Sequence, residues 1–215
     1  MSYQALYDFD GTLTSHDTTT ILLVELAKLR PWRVAMMSWY LIRMRLSGES
    51  GTKQKYKNKA IGFLIKNLDD ERMSRALHRF KVKVQLSYRQ SVFTSVEQVI
   101  QEGGTVLVVT ASPSFAVQRC VGRSVVVIGT EFEKEQGIYT GRLSGKNCYG
   151  QEKVCRINRW AASRRQALNV TSAWGDHPSD SYMLSLAAER YWVVREQFHE
   201  QIRSRDPDAT LVLAD

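Results

Sequence analysis

The chain has 215 residues, 43% of them hydrophobic and 24% charged, and a formal net charge of +8. That length allows one full core with a small inserted domain, and the composition is typical of an ordinary globular protein. Asp8 and Asp10 stand where an apolar signal core would be, and no uncharged run is long enough to cross a bilayer, so we expect neither a signal peptide nor a membrane helix.

The cysteines indicate the cellular compartment, and the distribution of charge indicates the kind of binding partner. Three cysteines without a C-x-x-C pair favour free thiols over disulfides or zinc, which predicts a cytoplasmic protein. Residues 16–83 carry 15 Lys and Arg against 6 Asp and Glu, a net of +9, whereas the rest of the chain carries 15 against 16. This segment favours an anionic partner, although a solvated helical surface would have the same composition.

The first predicted element is a short buried strand, residues 5–7, which ends at two acidic residues, Asp8 and Asp10. Two carboxylates so close together are costly, and a cation or a phosphoryl group between them would offset that cost. Gly11 permits a tight turn directly after them. Considered alone, a strand-end turn with solvated aspartates explains the pattern equally well.

Residues 17–87 then carry a helical pattern. A helix capped near Asp17 is expected to run through Arg30, and Pro31 is well placed to begin a second helix that ends at about Leu46. The apolar face of this second helix is expected to be formed by Val34, Met37, Leu41 and Met44. A break at residues 48–51 separates it from helices predicted near residues 53–66 and 69–86.

From residue 88 onwards, short apolar strands alternate with helices. Strands are predicted at 105–109, 125–128, 170–174 and 191–194, helices near 91–102, 114–122, 152–167 and 179–188, and a hairpin at 131–143. The pattern predicts an α/β fold, a doubly wound parallel sheet with a helical insertion directly after the first strand. We therefore expect a core domain made of residues 1–15 and 88–215 and a cap domain made of residues 16–87.

Three further segments place polar side chains where predicted strands end or helices begin. Thr110 follows the strand at 105–109, Lys153 lies in the first turn of a helix, and Asp176 and Asp180 follow the strand at 170–174. Each signal is weak alone, but the carboxyl ends of parallel strands are where open α/β sheets build their sites. Four carboxylates that converge there favour a hard divalent cation, Mg²⁺ rather than zinc.

Taken in order, these segments resemble the four motifs of the haloacid dehalogenase-like phosphatases. The motifs are Asp8-x-Asp10-Gly11-Thr12, Thr110, Lys153 and Gly175-Asp176-x-x-x-Asp180. The resemblance covers nearly the whole chain, and the helical insertion is similar to the small cap of the phosphoserine-phosphatase-like branch. It implies a Rossmann-like core with a helical cap, and Mg²⁺-dependent hydrolysis of a phosphomonoester through an aspartyl-phosphate.

The same resemblance implies a catalytic role for four residues. Asp8 would attack phosphorus, and Asp10 would protonate the leaving alkoxide and then act as base for the hydrolytic water. Thr110 and Lys153 would hold the phosphoryl oxygens. The implied metal set is Asp8, Asp10 through its carbonyl, Asp176, and Asp180 as the residue that orients the metal's waters.

The substrate-binding set implied by the resemblance is Asp17, Thr110, Ala111, Ser112 and Lys153. Two of these positions differ from those of phosphoserine phosphatases. Asp17 is shorter than the glutamate that binds the substrate ammonium in those enzymes, and Ala111 replaces a glycine. Lys57 and Lys59 stand in the region where those enzymes have a cap arginine. Phosphoserine is therefore not expected to be the substrate.

Three functions are compatible with these patterns. The leading hypothesis is a Mg²⁺-dependent phosphatase whose basic cap selects an anionic small-molecule phosphate ester. The alternative is a lipid-phosphate phosphatase, similar to a phosphatidylglycerophosphatase, at an anionic membrane surface. Residues 34–42 favour it because they include Trp39 and Tyr40 and are flanked by Arg30, Arg33, Arg43 and Arg45, although a packed cap helix has the same pattern.

A nucleic-acid-binding protein with an idle site is the third reading. It is disfavoured because no nucleic-acid motif is present and few aromatic residues lie among the lysines of residues 16–83. We therefore expect no nucleic-acid partner, and a monomer or a homodimer.

Overall fold

The computed structural model describes residues 3–34, 39, 42–43, 46, 50–194 and 196–214, without the side chains of residues 50, 51 and 197. Its strands are β1 (Gln4–Tyr7), β2 (Thr105–Pro113), β3 (Val126–Thr130), β4 (Phe132–Glu135), β5 (Ile138–Leu143), β6 (Val170–Gly175), β7 (Glu189–Val194) and β8 (Thr210–Leu213). Six of them form one parallel sheet in the order β3-β2-β1-β6-β7-β8, and β4 pairs with β5 in an antiparallel hairpin. This α/β architecture confirms the fold class predicted from the sequence.

Helices cover both faces of the sheet and form the insertion. They are α1 (Thr19–Ala27), α2 (Ser50–Ile65), α3 (Asp70–Gln85), α4 (Gln90–Gln101), α5 (Ser114–Val121), α6 (Gln151–Ser163), α7 (Ser181–Leu184) and α8 (His199–Arg205), with 3-10 turns at Pro31–Arg33, Pro178–Asp180 and Glu196–Phe198. None of the described helices is long and apolar enough to cross a membrane.

Several predicted boundaries differ from the structure. The first helix ends at Ala27 rather than Arg30, and Gly51 lies inside α2 rather than in a break. The helix predicted near 179–188 is a 3-10 turn followed by the short α7, and β8 was not predicted. Part of the predicted second helix and of the break after it lies outside the described residues, namely Met37, Tyr40, Leu41, Met44, Arg45 and Gly48.

Strand alternation divides the core between the two faces of the sheet. In β2, Val106 and Val108 join one apolar cluster while Leu107 and Val109 join the other. Because a parallel sheet is covered on both faces, its central strands are continuous apolar runs, which is why the sequence predicted them. The polar side chains of interest follow these runs and so lie at one edge of the sheet.

The inserted helices α1 to α3 are joined to the core by two paired linkers. Thr14 and Tyr88 form an antiparallel bridge, and Ser15 N donates to Ser87 O at 2.8 Å. At the far end, the loop after α2 pairs with the hairpin, since Asn67 N donates to Tyr139 O at 2.8 Å. The linkers and the hairpin therefore hold the insertion to the core, as does the packing of α3 on α5, while its domain limits at residues 16 and 87 stay a prediction.

Two glycines allow the second of these contacts. A Cβ atom on Gly62 of α2 would collide with the carbonyl oxygen of Gly141 in β5, and Gly141 has a φ of +85°. Only glycine at both positions lets the helix and the hairpin backbone approach so closely. The approach fixes α2 over the carboxyl edge of the sheet.

Candidate active site

The turn after β1 brings the first and fourth motifs into contact. Asp8 N donates to Trp174 O at 2.9 Å, which ties the end of β1 to β6. Gly11 has a φ of +86°, and a Cβ atom there would collide with the carboxylate of Asp176. The glycine is needed both for the backbone conformation and for the approach of that carboxylate.

Lys153 joins two of the carboxylates. It lies in the first turn of α6 with its side chain 2% exposed, and its Nζ donates to Asp8 Oδ1 at 2.5 Å and to Asp180 Oδ1 at 2.7 Å. Burial opposes the charge of Lys153, but Asp180 and Asp8 outweigh burial and raise its pKa above the ordinary value. The lysine is therefore a fixed ammonium within the acidic site.

Three carboxylates form a group that fits a divalent cation. Asp8, Asp176 and Asp180 each offer an oxygen, and these oxygens lie within 4.8 Å of one another. Burial raises the pKa of Asp8 to about 7 in spite of Lys153, and burial with the charges of Asp8 and Asp180 raises the pKa of Asp176 to about 8. Hard oxygen donors with surplus negative charge are the donor set that Mg²⁺ prefers.

Asp10 faces a different direction from these three carboxylates. Its Oδ1 accepts from Thr18 N and Thr18 Oγ1, both at 2.7 Å, and its Oδ2 accepts from Ser112 Oγ at 2.5 Å. Burial raises the pKa of Asp10, and the negative charge of Asp17 raises it further. Among the described residues the Asp10 carboxylate is not part of the metal-type group, which leaves its backbone carbonyl as the donor expected from the sequence.

The second motif lies inside β2 rather than after it, because the strand continues to Pro113. Thr110 is buried and its Oγ1 accepts from Ser112 N at 3.0 Å, while Ala111 O accepts from Thr130 Oγ1 at 2.8 Å. These bonds fix the backbone of the motif beside Asp10. Thr110, Ala111 and Ser112 all line the cleft that contains the carboxylates.

That cleft has a volume of about 960 Å³ and runs along the carboxyl edge of the sheet, beneath α2. All the predicted site residues line it: Asp8, Asp10, Asp17, Thr110, Ala111, Ser112, Lys153, Asp176 and Asp180. Asp17 forms an ion pair with Lys57 of α2, and although partial desolvation raises the pKa of Asp17, this cation outweighs that effect and lowers it. Lys59 points elsewhere, with its ammonium 5.8 Å from the centre of the Tyr56 ring.

Some cleft residues were missed by sequence reasoning. Lys53 and Gln54 reach the cleft from α2, Tyr149 from the loop before α6, and Arg89 from the second linker. Arg89 is buried and its Nε donates to Gly11 O at 3.3 Å. No motif marks these residues, because tertiary packing alone brings them to the cleft.

Comparison with known proteins agrees with the family resemblance of the four motifs. Residues 5–185 match the family model described as haloacid dehalogenase-like hydrolase. Protein CicA of Caulobacter vibrioides is 27% identical over 195 residues, which cover 86% of this chain and 82% of CicA. A Bordetella pertussis Tohama I protein of unknown function has a TM-score of 0.78 at 20% identity over the whole of both chains.

Two solved phosphatase and nucleotidase structures share the fold at lower identity. A substrate-bound phosphoserine phosphatase has a TM-score of 0.61 at 17% identity, over 100% of this chain and 94% of that one. Cytosolic 5'-nucleotidase IIIB bound to cytidine has a TM-score of 0.69 at 11% identity, over 99% and 80%. At these identities the likeness is one of fold.

Proposed function

Since the chain belongs to the haloacid dehalogenase-like hydrolase family, we propose that it is a Mg²⁺-dependent phosphomonoester hydrolase that acts through an aspartyl-phosphate on Asp8. The observation that carries this proposal is the buried group of Asp8, Asp176 and Asp180 around Lys153. Such a group has surplus negative charge and leaves room for a cation beside the proposed nucleophile. The phosphoserine phosphatase and nucleotidase neighbours support the reaction class.

In the first half-reaction, a carboxylate oxygen of Asp8 forms a bond to phosphorus as the bond from phosphorus to the leaving oxygen breaks. Lys153 holds Asp8 in orientation and opposes the negative charge of the phosphoryl oxygens, with Thr110 beside it in the cleft. Mg²⁺ held by Asp8, Asp176 and the carbonyl of Asp10, when bound, would offset the same charge, with Asp180 orienting its ligands.

Asp10 would give the proton that the leaving oxygen needs. Its raised pKa, caused by burial and by Asp17, favours the protonated form, while Thr18 and Ser112 fix the direction of its carboxyl group. In the second half-reaction, Asp10 takes a proton from water as that water attacks phosphorus and releases Asp8. Phosphate then leaves, and Asp10 is protonated again.

The cleft favours a small substrate with further negative charge. Lys53 and Lys57 line it from α2, on the side where Asp17 neighbours Asp10. Asp17 is already paired with Lys57, so a zwitterionic substrate such as phosphoserine would have to replace an existing ion pair. We therefore expect an anionic small-molecule ester, a cytoplasmic monomer or homodimer, and no nucleic-acid partner.

A phosphate ester carried by a lipid is the second candidate substrate. The observation that favours it is the exposure of Trp32 and Trp39 in the inserted segment, because exposed tryptophans suit a lipid interface. Turnover of a phospholipid phosphate in mixed micelles, compared with a short water-soluble ester, separates the two candidates. Equal or better turnover of the soluble ester would remove the lipid candidate.

The reaction class is tested with a generic aryl phosphate, with Mg²⁺ and with a chelator. We expect metal-dependent turnover in the wild type and a loss of about a thousandfold or more in Asp8→Asn, which lacks the nucleophile. Asp208→Asn is the matched control, since its carboxylate is 88% exposed and outside the cleft. Undiminished turnover in Asp8→Asn, or full activity in the chelator, would contradict the proposal.

A further inference from the structure

Exposed apolar side chains are concentrated in one part of the inserted segment. In the part of the chain that the structure describes, twelve large hydrophobic side chains are exposed, and five of them lie between residues 32 and 46. Trp32 is 71% exposed, Trp39 59%, Ile42 53% and Leu46 76%. Tryptophan is on average a highly buried residue, so two exposed copies so close in sequence indicate a surface that binds something.

Three of these residues have helical backbone. Trp39, Ile42 and Leu46 are each helical and exposed, and their spacing of three and four residues is typical of side chains on one side of a helix. Arg43 lies beside Trp39, with its guanidinium 5.1 Å from the centre of the Trp39 ring. We call Trp32, Trp39, Ile42, Arg43 and Leu46 the exposed apolar surface.

The segment that contains this surface carries charges of one sign in its sequence. Residues 26–48 contain no Asp or Glu and five basic residues, Lys28, Arg30, Arg33, Arg43 and Arg45. Lys28 pairs with Glu25, and Arg30 and Arg33 donate to backbone carbonyls of residues 63–67, so Arg43 beside Trp39 is the cation that the structure shows at the surface itself. An apolar surface without acidic groups and with arginine beside tryptophan is complementary to an anionic, partly apolar partner.

We propose that the exposed apolar surface docks on an anionic lipid bilayer. Tryptophan and arginine are suited to the headgroup region, where the ring meets acyl chains and the guanidinium meets lipid phosphates. A second copy of this chain is a poorer occupant, because a two-fold interface would place the two basic segments against each other. The contact that we propose is peripheral, at the bilayer surface.

This docking would bring the cleft to the bilayer. The helix α2, which carries Lys53 and Lys57 into the cleft, begins at Ser50, soon after Leu46. A cleft so placed would meet substrates near the membrane whether or not the ester itself is a lipid. The proposal goes beyond the proposed function and rests on no step of catalysis.

Vesicle co-sedimentation tests the surface directly. Wild-type protein is mixed with vesicles of phosphatidylglycerol and phosphatidylcholine, or of phosphatidylcholine alone, at about 0.15 M salt. We expect binding to the anionic vesicles, and binding at least about tenfold weaker in Trp39→Ala/Leu46→Ala. The control is Leu86→Ala/Leu213→Ala, which removes apolar side chains that are 87% and 56% exposed elsewhere and should bind as the wild type does.

Three results would overturn the proposal. These are no binding of wild type to anionic vesicles, equal binding of Trp39→Ala/Leu46→Ala, and a wild-type dimer that this variant converts to a monomer, since the surface would then be covered by a second copy. Turnover of the soluble aryl phosphate is measured for every variant and should not change. That readout separates failed docking from failed catalysis and shows that the variants are folded.

Discussion

Two buried charges of opposite sign organise the two parts of the molecule. In the core, the Lys153 ammonium lies 2.5 Å from Asp8 and 2.7 Å from Asp180. In the inserted helices, the fully buried carboxylate of Glu25 has cations at 2.7 Å, which belong to Lys28, Arg79 and Lys83. The contacts are similarly short, and each central charge is outnumbered by its partners.

The difference lies in where the surplus charge is placed. Around Lys153 the surplus is negative and buried, since the Asp8 side chain is 9% exposed and that of Asp180 only 2%. Around Glu25 it is positive and belongs to side chains that are 41–48% exposed, which water and salt can screen. The first group therefore needs a cation from solution and can act as a site, whereas the second is complete and serves the fold.

The largest effect is expected from Lys153→Met, which removes the cation from the core group. Breaking a buried ion pair leaves uncompensated carboxylates, so the metal-free protein should lose about 3 kcal/mol of stability. Turnover should fall by about a hundredfold or more, because the nucleophile loses its orientation and the phosphoryl oxygens lose a positive charge. Urea unfolding in the presence of a chelator and aryl phosphate kinetics measure the two effects.

Lys83→Met is the matched control for this comparison. Glu25 keeps two cations in that variant and Lys83 is 48% exposed, so the loss of stability should stay within about 1 kcal/mol and turnover should not change. Equal losses of stability in Lys153→Met and Lys83→Met would contradict the distinction between the two groups.

A smaller effect is expected from Glu25→Gln, and it should depend on pH. Burial raises the pKa of Glu25, but Lys28, Lys83 and Arg79 outweigh burial and lower it to about 2 from an ordinary value of 4.5. A lowered folded-state pKa contributes stability above pH 4.5 that is lost as pH falls towards 2. At neutral pH this contribution has a ceiling of about 3.5 kcal/mol, because one pKa unit corresponds to about 1.4 kcal/mol. Water screens the three half-exposed cations, which keeps the contribution below the loss expected for Lys153→Met.

The measurement is urea unfolding of wild type and Glu25→Gln from neutral pH to pH 3. The difference in unfolding free energy should be largest at neutral pH and shrink below pH 4.5. Glu133→Gln is the control, since Glu133 pairs with Arg142 at an exposed position and should show little change. A difference for Glu25→Gln that stays constant with pH would contradict the role given to its charge.

The core group and the Glu25 group also differ in how far the sequence predicts them. The strands and the acidic motifs were predictable because buried parallel strands are continuous apolar runs, and polar residues directly after them lie at one edge. Asp8 and Asp176 each directly follow a parallel strand, so their proximity could be predicted from the sequence. Lys153 could be placed beside them only through the family resemblance.

No such rule applies to the Glu25 group or to the cleft residues of the insertion. Glu25 lies in an apolar run, and two of its partners come from α3, so only tertiary packing pairs them. Lys53 and Gln54 reach the cleft because Gly62 allows α2 to approach the hairpin, which no local pattern indicates. Side-chain placement in the insertion therefore depends on packing between elements distant in sequence.

The smallest effect is expected at the ion pair between Asp17 and Lys57, which lies in the cleft between the two groups. Asp17 is 47% exposed and Lys57 15%, so breaking the pair should change stability by no more than about 1 kcal/mol. Its effect should appear in substrate binding, with opposite signs for the two partners. Lys57→Met should raise KM for an anionic ester about three- to tenfold, because it removes an attractive charge.

Asp17→Asn should lower KM for the same ester, because it removes a repulsive charge and frees Lys57 to contact the substrate. A neutral Gln54→Ala change in the same cleft serves as the control for altered shape without altered charge. If Asp17→Asn and Lys57→Met both raised KM equally, the pair would act by holding α2 over the cleft rather than by selecting charge. Opposite shifts in KM for the two variants would instead show that the charge of Lys57 acts on the substrate. The charges of Lys153 and Glu25 are buried, whereas the ion pair of Asp17 and Lys57 is partly exposed and can contact a substrate.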